Sequence, residues 1–118
     1  KNKLDNLCII LDNNGLQIDG KIDEVAGLDN IAGKFASFGF NVLNVDGNNI
    51  NQLIDAFDTA KQTKGKPTVI IAKTVKGKGV SFMENKAEWH GQAPTKEQYD
   101  EAITELDTNE ANEIKETF

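Results

Sequence analysis

With 118 residues the chain has room for one domain; at 38% apolar and 27% charged it is too apolar for a disordered tail and too polar for a membrane protein. The longest apolar run, Leu7 to Leu11, is strand-sized and far short of the ~20 residues a spanning helix needs. The net charge is −6, yet residues 61–79 hold six lysines and no acid; with no arginine or aromatic there to stack bases, nucleic-acid binding is not expected. A single cysteine, Cys8, leaves no disulfide within the chain and suits a reducing compartment. No secretory signal is recognisable, so a cytoplasmic location is expected.

In chain order, Leu7-Cys8-Ile9-Ile10-Leu11 comes first. Its length and β-branched content read as a strand buried on both faces, with Cys8 an inert core thiol. The strand begins so soon after Lys1 that the chain reads as a fragment. Leu28, Ile31, Phe35 and Phe38 recur at steps of three and four, an amphipathic helix that Gly39 ends. Phe40 to Asp46 reads as a second strand, stopping at Gly47. Asn49 or Asn51 can cap a second helix, in which Ile50, Leu53, Ile54, Phe57 and Ala60 form one apolar stripe. Pro67 to Lys73 reads as a third strand, with proline tolerated at its first position. Thr95 and Gln98 are spaced as a capping box for a helix running through Tyr99, Ala102, Ile103 and Leu106. Residues 107–118 read as a short acidic helix or a frayed tail. Strands alternating with helices predict an α/β fold, a parallel sheet with flanking helices.

Such sheets bind ligands beyond the carboxyl ends of their strands. Two polar, glycine-containing turns are expected there: Asp12-Asn13-Asn14-Gly15 and Lys76-Gly77-Lys78-Gly79. Asn-Gly between apolar runs reads first as a hairpin turn, because both residues tolerate positive φ. The alternative is an oxygen-ligand site, where an Asn side-chain oxygen and a nearby backbone carbonyl suit a hard ion such as Mg²⁺. The lysine-glycine turn lacks the Gly-Lys-Ser/Thr of a P-loop and reads as solvated.

Several motifs in order carry a resemblance. Asp12-Asn13-Asn14-Gly15-Leu16-Gln17-Ile18-Asp19-Gly20 resembles the closing half of the thiamine-diphosphate motif of transketolases. Phe38-Gly39-Phe40, Val45-Asp46-Gly47, Lys66-Pro67-Thr68-Val69-Ile70, Lys73-Thr74-Val75-Lys76-Gly77-Lys78-Gly79-Val80 and Glu88-Trp89-His90-Gly91 follow in matching sequence. Over residues 1–106 the chain is similar to the amino-terminal subunit of split, two-gene transketolases.

The resemblance implies thiamine diphosphate and Mg²⁺ (or Ca²⁺) as cofactors. It implies that Asn14 gives its side-chain oxygen, and Leu16 its backbone carbonyl, to the metal. It implies that Ile18 packs against the thiazolium ring. It assigns His90 a place near the diphosphate and substrate, as a hydrogen-bond donor and proton-transfer group. The expected partners are sugar-phosphate substrates, a carboxyl-terminal transketolase subunit and a second copy of the chain, because family active sites form between two subunits. No nucleic acid and no membrane is expected.

The departures are specific too. The Gly-Asp-Gly that opens the motif is absent, and His90 is the only histidine. Nothing matches the glutamate that activates the aminopyrimidine ring, which the family carries on a separate domain. Residues 1–118 therefore read as the carboxyl-terminal half of a thiamine-diphosphate-binding domain, inactive by itself. Two alternatives stand beside this reading. One is a deoxyxylulose-phosphate-synthase-like thiamine enzyme, which shares the Lys-Gly-Lys-Gly turn and a following aromatic-His-Gly; the Gln17-Ile18-Asp19-Gly20 ending favours transketolase. The other is a non-catalytic fragment that self-associates through an exposed sheet edge.

Overall fold

The computed structural model describes residues 4–17, 20–21 and 30–117. They divide into two compact units, Lys1–Thr74 and Val75–Phe118. In the first, β1 (Cys8–Asn13) leads into two short strands, β2 (Leu16–Gln17) and β3 (Gly20–Lys21). Then come α1 (Ile31–Ser37), β4 (Asn41–Asp46), α2 (Ile50–Gln62) and β5 (Thr68–Lys73). The second unit holds a turn region, a 3₁₀ turn (Ala87–His90) and α3 (Lys96–Thr117).

The main sheet is parallel, as the alternation of strands and helices predicts, with the order β1-β5-β4. The last strand in sequence thus lies in the middle. Its residues Thr68 to Ala72 are buried, and Val69 and Ile70 are fully enclosed. Among the described residues β1 occupies an edge, and there the structure departs from the expectation of a strand buried on both faces. Its residues alternate between exposed and half-buried, Ile10 is 56% exposed, and the Cys8 thiol is exposed and free instead of lying in the core. An edge strand has a neighbour on one side only, so equal hydrophobicity does not bring equal burial.

α1 starts at Asn30, which adopts φ 53° and accepts the Gly33 amide on Oδ1 at 2.9 Å. Phe35 meets the Phe40 ring edge-on at 5.3 Å, but Phe38 lies past the helix end and is exposed, off the apolar face assigned to it. Leu28, the first residue of that expected helix, lies outside the described residues. Asn49, not Asn51, caps α2 by accepting the Gln52 amide at 3.1 Å. The face of α2 turned inward runs through Leu53, Ala56 and Ala60, whereas Ile50, Ile54 and Phe57 are exposed. At ~100° per residue Phe57, Ile50 and Ile54 lie about 100°, 120° and 160° round the helix from Ala56, so the stripe is wider than the contact.

In the second unit Thr95 and Gln98 form the expected capping box. The Gln98 amide donates to Thr95 Oγ1 at 3.2 Å, and the Thr95 amide donates to Gln98 Oε1 at 2.9 Å. α3 then continues to Thr117 and takes residues 107–117 into the same helix. Among the described residues no helix is long and apolar enough to cross a membrane.

Candidate functional site

At the carboxyl end of the main sheet, β1 runs out at Asn13 and the chain bends through Asn14 and Gly15 into β2. Gly15 has φ 71°, a conformation that costs glycine little and a side-chain-bearing residue more. The bend does not close a hairpin between its flanking strands: β1 pairs with β5, and β2 pairs with β3, Leu16 opposite Lys21. Asn14 is half-buried, and its Oδ1 accepts the Leu16 amide at 2.9 Å. That bond holds the side-chain oxygen beside the Leu16 backbone and leaves the amide oxygen its second lone pair.

The end of β5 braces the same corner. The Thr74 amide donates to the Asn13 carbonyl at 3.4 Å, and the Thr74 hydroxyl donates to Asp12 Oδ1. On the other side the Gly47 amide donates to the Lys73 carbonyl at 2.8 Å, closing β4 against β5. Gly47 must lack a side chain here, because a Cβ would fall 2.5 Å from Thr74 Cγ2 and 2.8 Å from the Ala72 Cβ. Sequence reasoning had no signal for Thr74 as part of this corner, since its partners are 62 residues back along the chain at Asp12 and on a strand whose place in the sheet only the fold reveals.

In the second unit, residues 76–79 form a turn in which Gly77 and Gly79 have φ 74° and 95°, in line with the solvated turn expected of Lys76-Gly77-Lys78-Gly79. The Gly79 amide donates to Glu84 Oε1 at 3.0 Å, and Lys78 Nζ lies 4.0 Å from the same oxygen. His90 ends the 3₁₀ turn and is exposed. Its neighbour Trp89 is anchored by its indole N–H, which donates to the Phe82 carbonyl at 3.2 Å, and by ring contact with Phe82 at 5.6 Å. Ser81 donates both its hydroxyl (2.5 Å) and its amide (2.6 Å) to the Glu105 carboxylate, which holds that carboxyl below its ordinary range. Hydrogen bonds to the charged form favour ionisation.

The structure therefore gathers Asn14 and Leu16 in one bend of the first unit and puts His90 on an anchored turn of the second. Ile18 lies outside the described residues. Among the described residues no cluster of three or more His, Cys, Asp or Glu side chains could hold a metal ion. What the bend offers is a pair of neutral oxygens, the Asn14 amide and the Leu16 carbonyl. Such donors suit a hard cation that takes its remaining ligands from phosphate and water.

A parallel α/β sheet with a polar bend at its carboxyl end defines the class of ligand-binding α/β domains. Within that class, residues 1–117 match the family model described as transketolase, thiamine diphosphate binding domain. The chain belongs to this family. It is 44% identical over 104 residues to an apulose-4-phosphate transketolase subunit of Phocaeicola vulgatus, covering 88% of this chain and 37% of that protein. It is 38% identical over 105 residues to a 6-deoxy-6-sulfo-D-fructose transketolase subunit of a Clostridium species, covering 89% of this chain and 38% of that protein. Among solved structures, the transketolase of Campylobacter jejuni superposes with a TM-score of 0.81 at 33% identity, over 88% of this chain and 16% of that one. The chain thus spans well under half the length of the curated relatives it matches.

Proposed function

We propose that these residues are the carboxyl-terminal half of the thiamine-diphosphate-binding domain of a transketolase that moves a two-carbon ketol unit between sugar phosphates in the cytoplasm. In this reading Asn14 Oδ1 and the Leu16 carbonyl hold Mg²⁺, and through it the diphosphate. Ile18 gives the thiazolium ring an apolar surround, and His90 donates a hydrogen bond near the diphosphate and moves a proton at a sugar hydroxyl. Thiamine diphosphate, when bound, supplies the electron sink for breaking and making the carbon–carbon bond. The observation that carries the reading is the Asn14-Gly15-Leu16 bend, where a half-buried side-chain amide oxygen is fixed by the Leu16 amide beyond a parallel strand.

Two neutral oxygens leave most of an octahedral ion unligated, so phosphate, water and a carboxylate from outside these residues complete the site. The chain by itself is expected to be inactive, and it works with a carboxyl-terminal subunit and a second copy of the assembled domain. The names of two relatives, subunits of transketolases acting on apulose 4-phosphate and on 6-deoxy-6-sulfo-D-fructose, support both a split enzyme and a sugar substrate. The test is complementation: the chain is mixed with a Gly-Asp-Gly-bearing first half and a carboxyl-terminal subunit, and ketol transfer is measured. Turnover that needs all three pieces, thiamine diphosphate and Mg²⁺ is the expected result. A folded mixture that stays inactive, or micromolar cofactor binding and turnover by the chain alone, overturns the reading.

A further inference from the structure

Thr74 makes three attachments at the carboxyl end of the sheet. Its amide reaches the Asn13 carbonyl at 3.4 Å, its hydroxyl donates to the Asp12 carboxylate, and its methyl group lies 2.5 Å from where a Gly47 Cβ would stand. Asp12 and Asn13 are the last two residues of β1 and run straight into Asn14. Among the described residues β1 is an edge strand paired only with β5, where Asp12 and Asn13 stand opposite Ala72 and Lys73; Thr74 adds a side-chain tie just beyond that ladder. Gly47, just past the end of β4 on the other side of β5, leaves open the space that the Thr74 methyl occupies, where a Cβ would collide with it.

From this arrangement we infer that Thr74 is a positioning residue, whose hydroxyl bond to Asp12 sets where the Asn14 and Leu16 oxygens stand and so how tightly they hold a divalent cation. The inference rests on the reading of that bend as a cofactor site. It assigns Thr74 no contact with the ion. Residues that orient metal ligands typically change metal affinity by about 10- to 100-fold when removed, and the low end is expected for a partly exposed bond.

The test uses the ¹⁵N-labelled chain mixed with the Gly-Asp-Gly-bearing first half of the domain, with Mn²⁺ as a paramagnetic stand-in for Mg²⁺ and thiamine diphosphate present. Broadening of the Asn14 side-chain amide and the Leu16 amide reports an ion at the bend even when binding is weak. If the unmodified chain shows no broadening there, the cofactor reading of the bend fails, whatever Thr74 does. If it does broaden, Thr74→Val is expected to need about tenfold more Mn²⁺ for the same effect. Thr74→Ser, which keeps the hydroxyl, is expected to stay within about twofold, since only a methyl group is lost. Asp12→Ala, at an exposed side chain, is expected to show the same loss; Thr74→Ala carries the Thr74 test should Thr74→Val fail to fold. The double variant is expected to bind no more weakly than either single one, because both remove one bond. An unchanged Mn²⁺ response in Thr74→Val overturns the inference, and so does a loss in Asp12→Ala alone, which would make Asp12 a ligand in its own right.

Discussion

Ile10 and Ile70 stand directly opposite each other in adjacent parallel strands, and they could hardly differ more in surroundings. Ile70, in central β5, has no exposed surface, while Ile10, in edge strand β1, is 56% exposed. Two residues toward the amino end the contrast repeats, with Thr68 buried and Cys8 exposed. Here a polar threonine is inside and an apolar-rich segment outside. Burial in this sheet thus follows position between neighbours more closely than side-chain polarity. A central strand has both edges paired, and an edge strand leaves one row of backbone groups and the flanking side chains open.

That contrast can be broken most decisively at the centre. Ile70→Ala is expected to lower unfolding stability by about 2–5 kcal/mol in a denaturant titration, through lost transfer energy plus an unfilled cavity. A loss as small as that at a surface site would mean the strand is not enclosed. Next comes Gly47→Ala, where the added methyl meets Thr74 and Ala72 at under 3 Å. Overpacking of that kind costs about 1–3 kcal/mol and should also disturb the Asp12–Thr74 bond, visible as shifted amide resonances at both residues. Ile10→Ala at the edge should cost no more than about 0.5 kcal/mol. Matching the Ile70 loss there would show that β1 is covered in solution, as a self-associating edge demands. Labelling sharpens the same point without mutation: the Cys8 thiol should react with a thiol reagent in the native state nearly as fast as in denaturant, and strong native protection would contradict an open edge.

The smallest expected effect is electrostatic and lies in the second unit. The two Ser81 hydrogen bonds depress the Glu105 carboxyl in the folded state, so their contribution is present at neutral pH and fades as pH falls through that lowered value. Ser81→Ala removes the hydroxyl bond and leaves the amide one, so the Glu105 titration followed by NMR should move part of the way back up. No movement would mean that the hydroxyl does not hold the carboxylate in solution.

Much of this was legible in the sequence, and the physical reasons are local. Helix caps declare themselves through short-range pairs, so the Thr95–Gln98 box, and Asn49 as one of two candidates, could be read before any fold was known. The strand–helix alternation likewise predicted the parallel sheet, and the run of motifs from Asp12 to Gly91 predicted the family. Apolar spacing was less reliable for burial. Ile50, Ile54 and Phe57 fit a helical stripe but lie beside the contact face, and Phe38 continues a period that its helix does not. The bend at Asn14 was visible as a polar Asn-Gly step; that it joins two strands belonging to different sheets was not.

The sequence by itself determined the three main strands, the three helices, two of the helix caps, the α/β class and the family, because each depends on neighbours within a few residues or on motifs in order. Only the tertiary structure decided which strand is central, and with it which apolar residues are enclosed. It also decided that Thr74 reaches Asp12 across 62 positions of chain. Such contacts depend on how parallel strands are ordered side by side, and strand order is set by the summed burial of the whole sheet. No single segment carries that information.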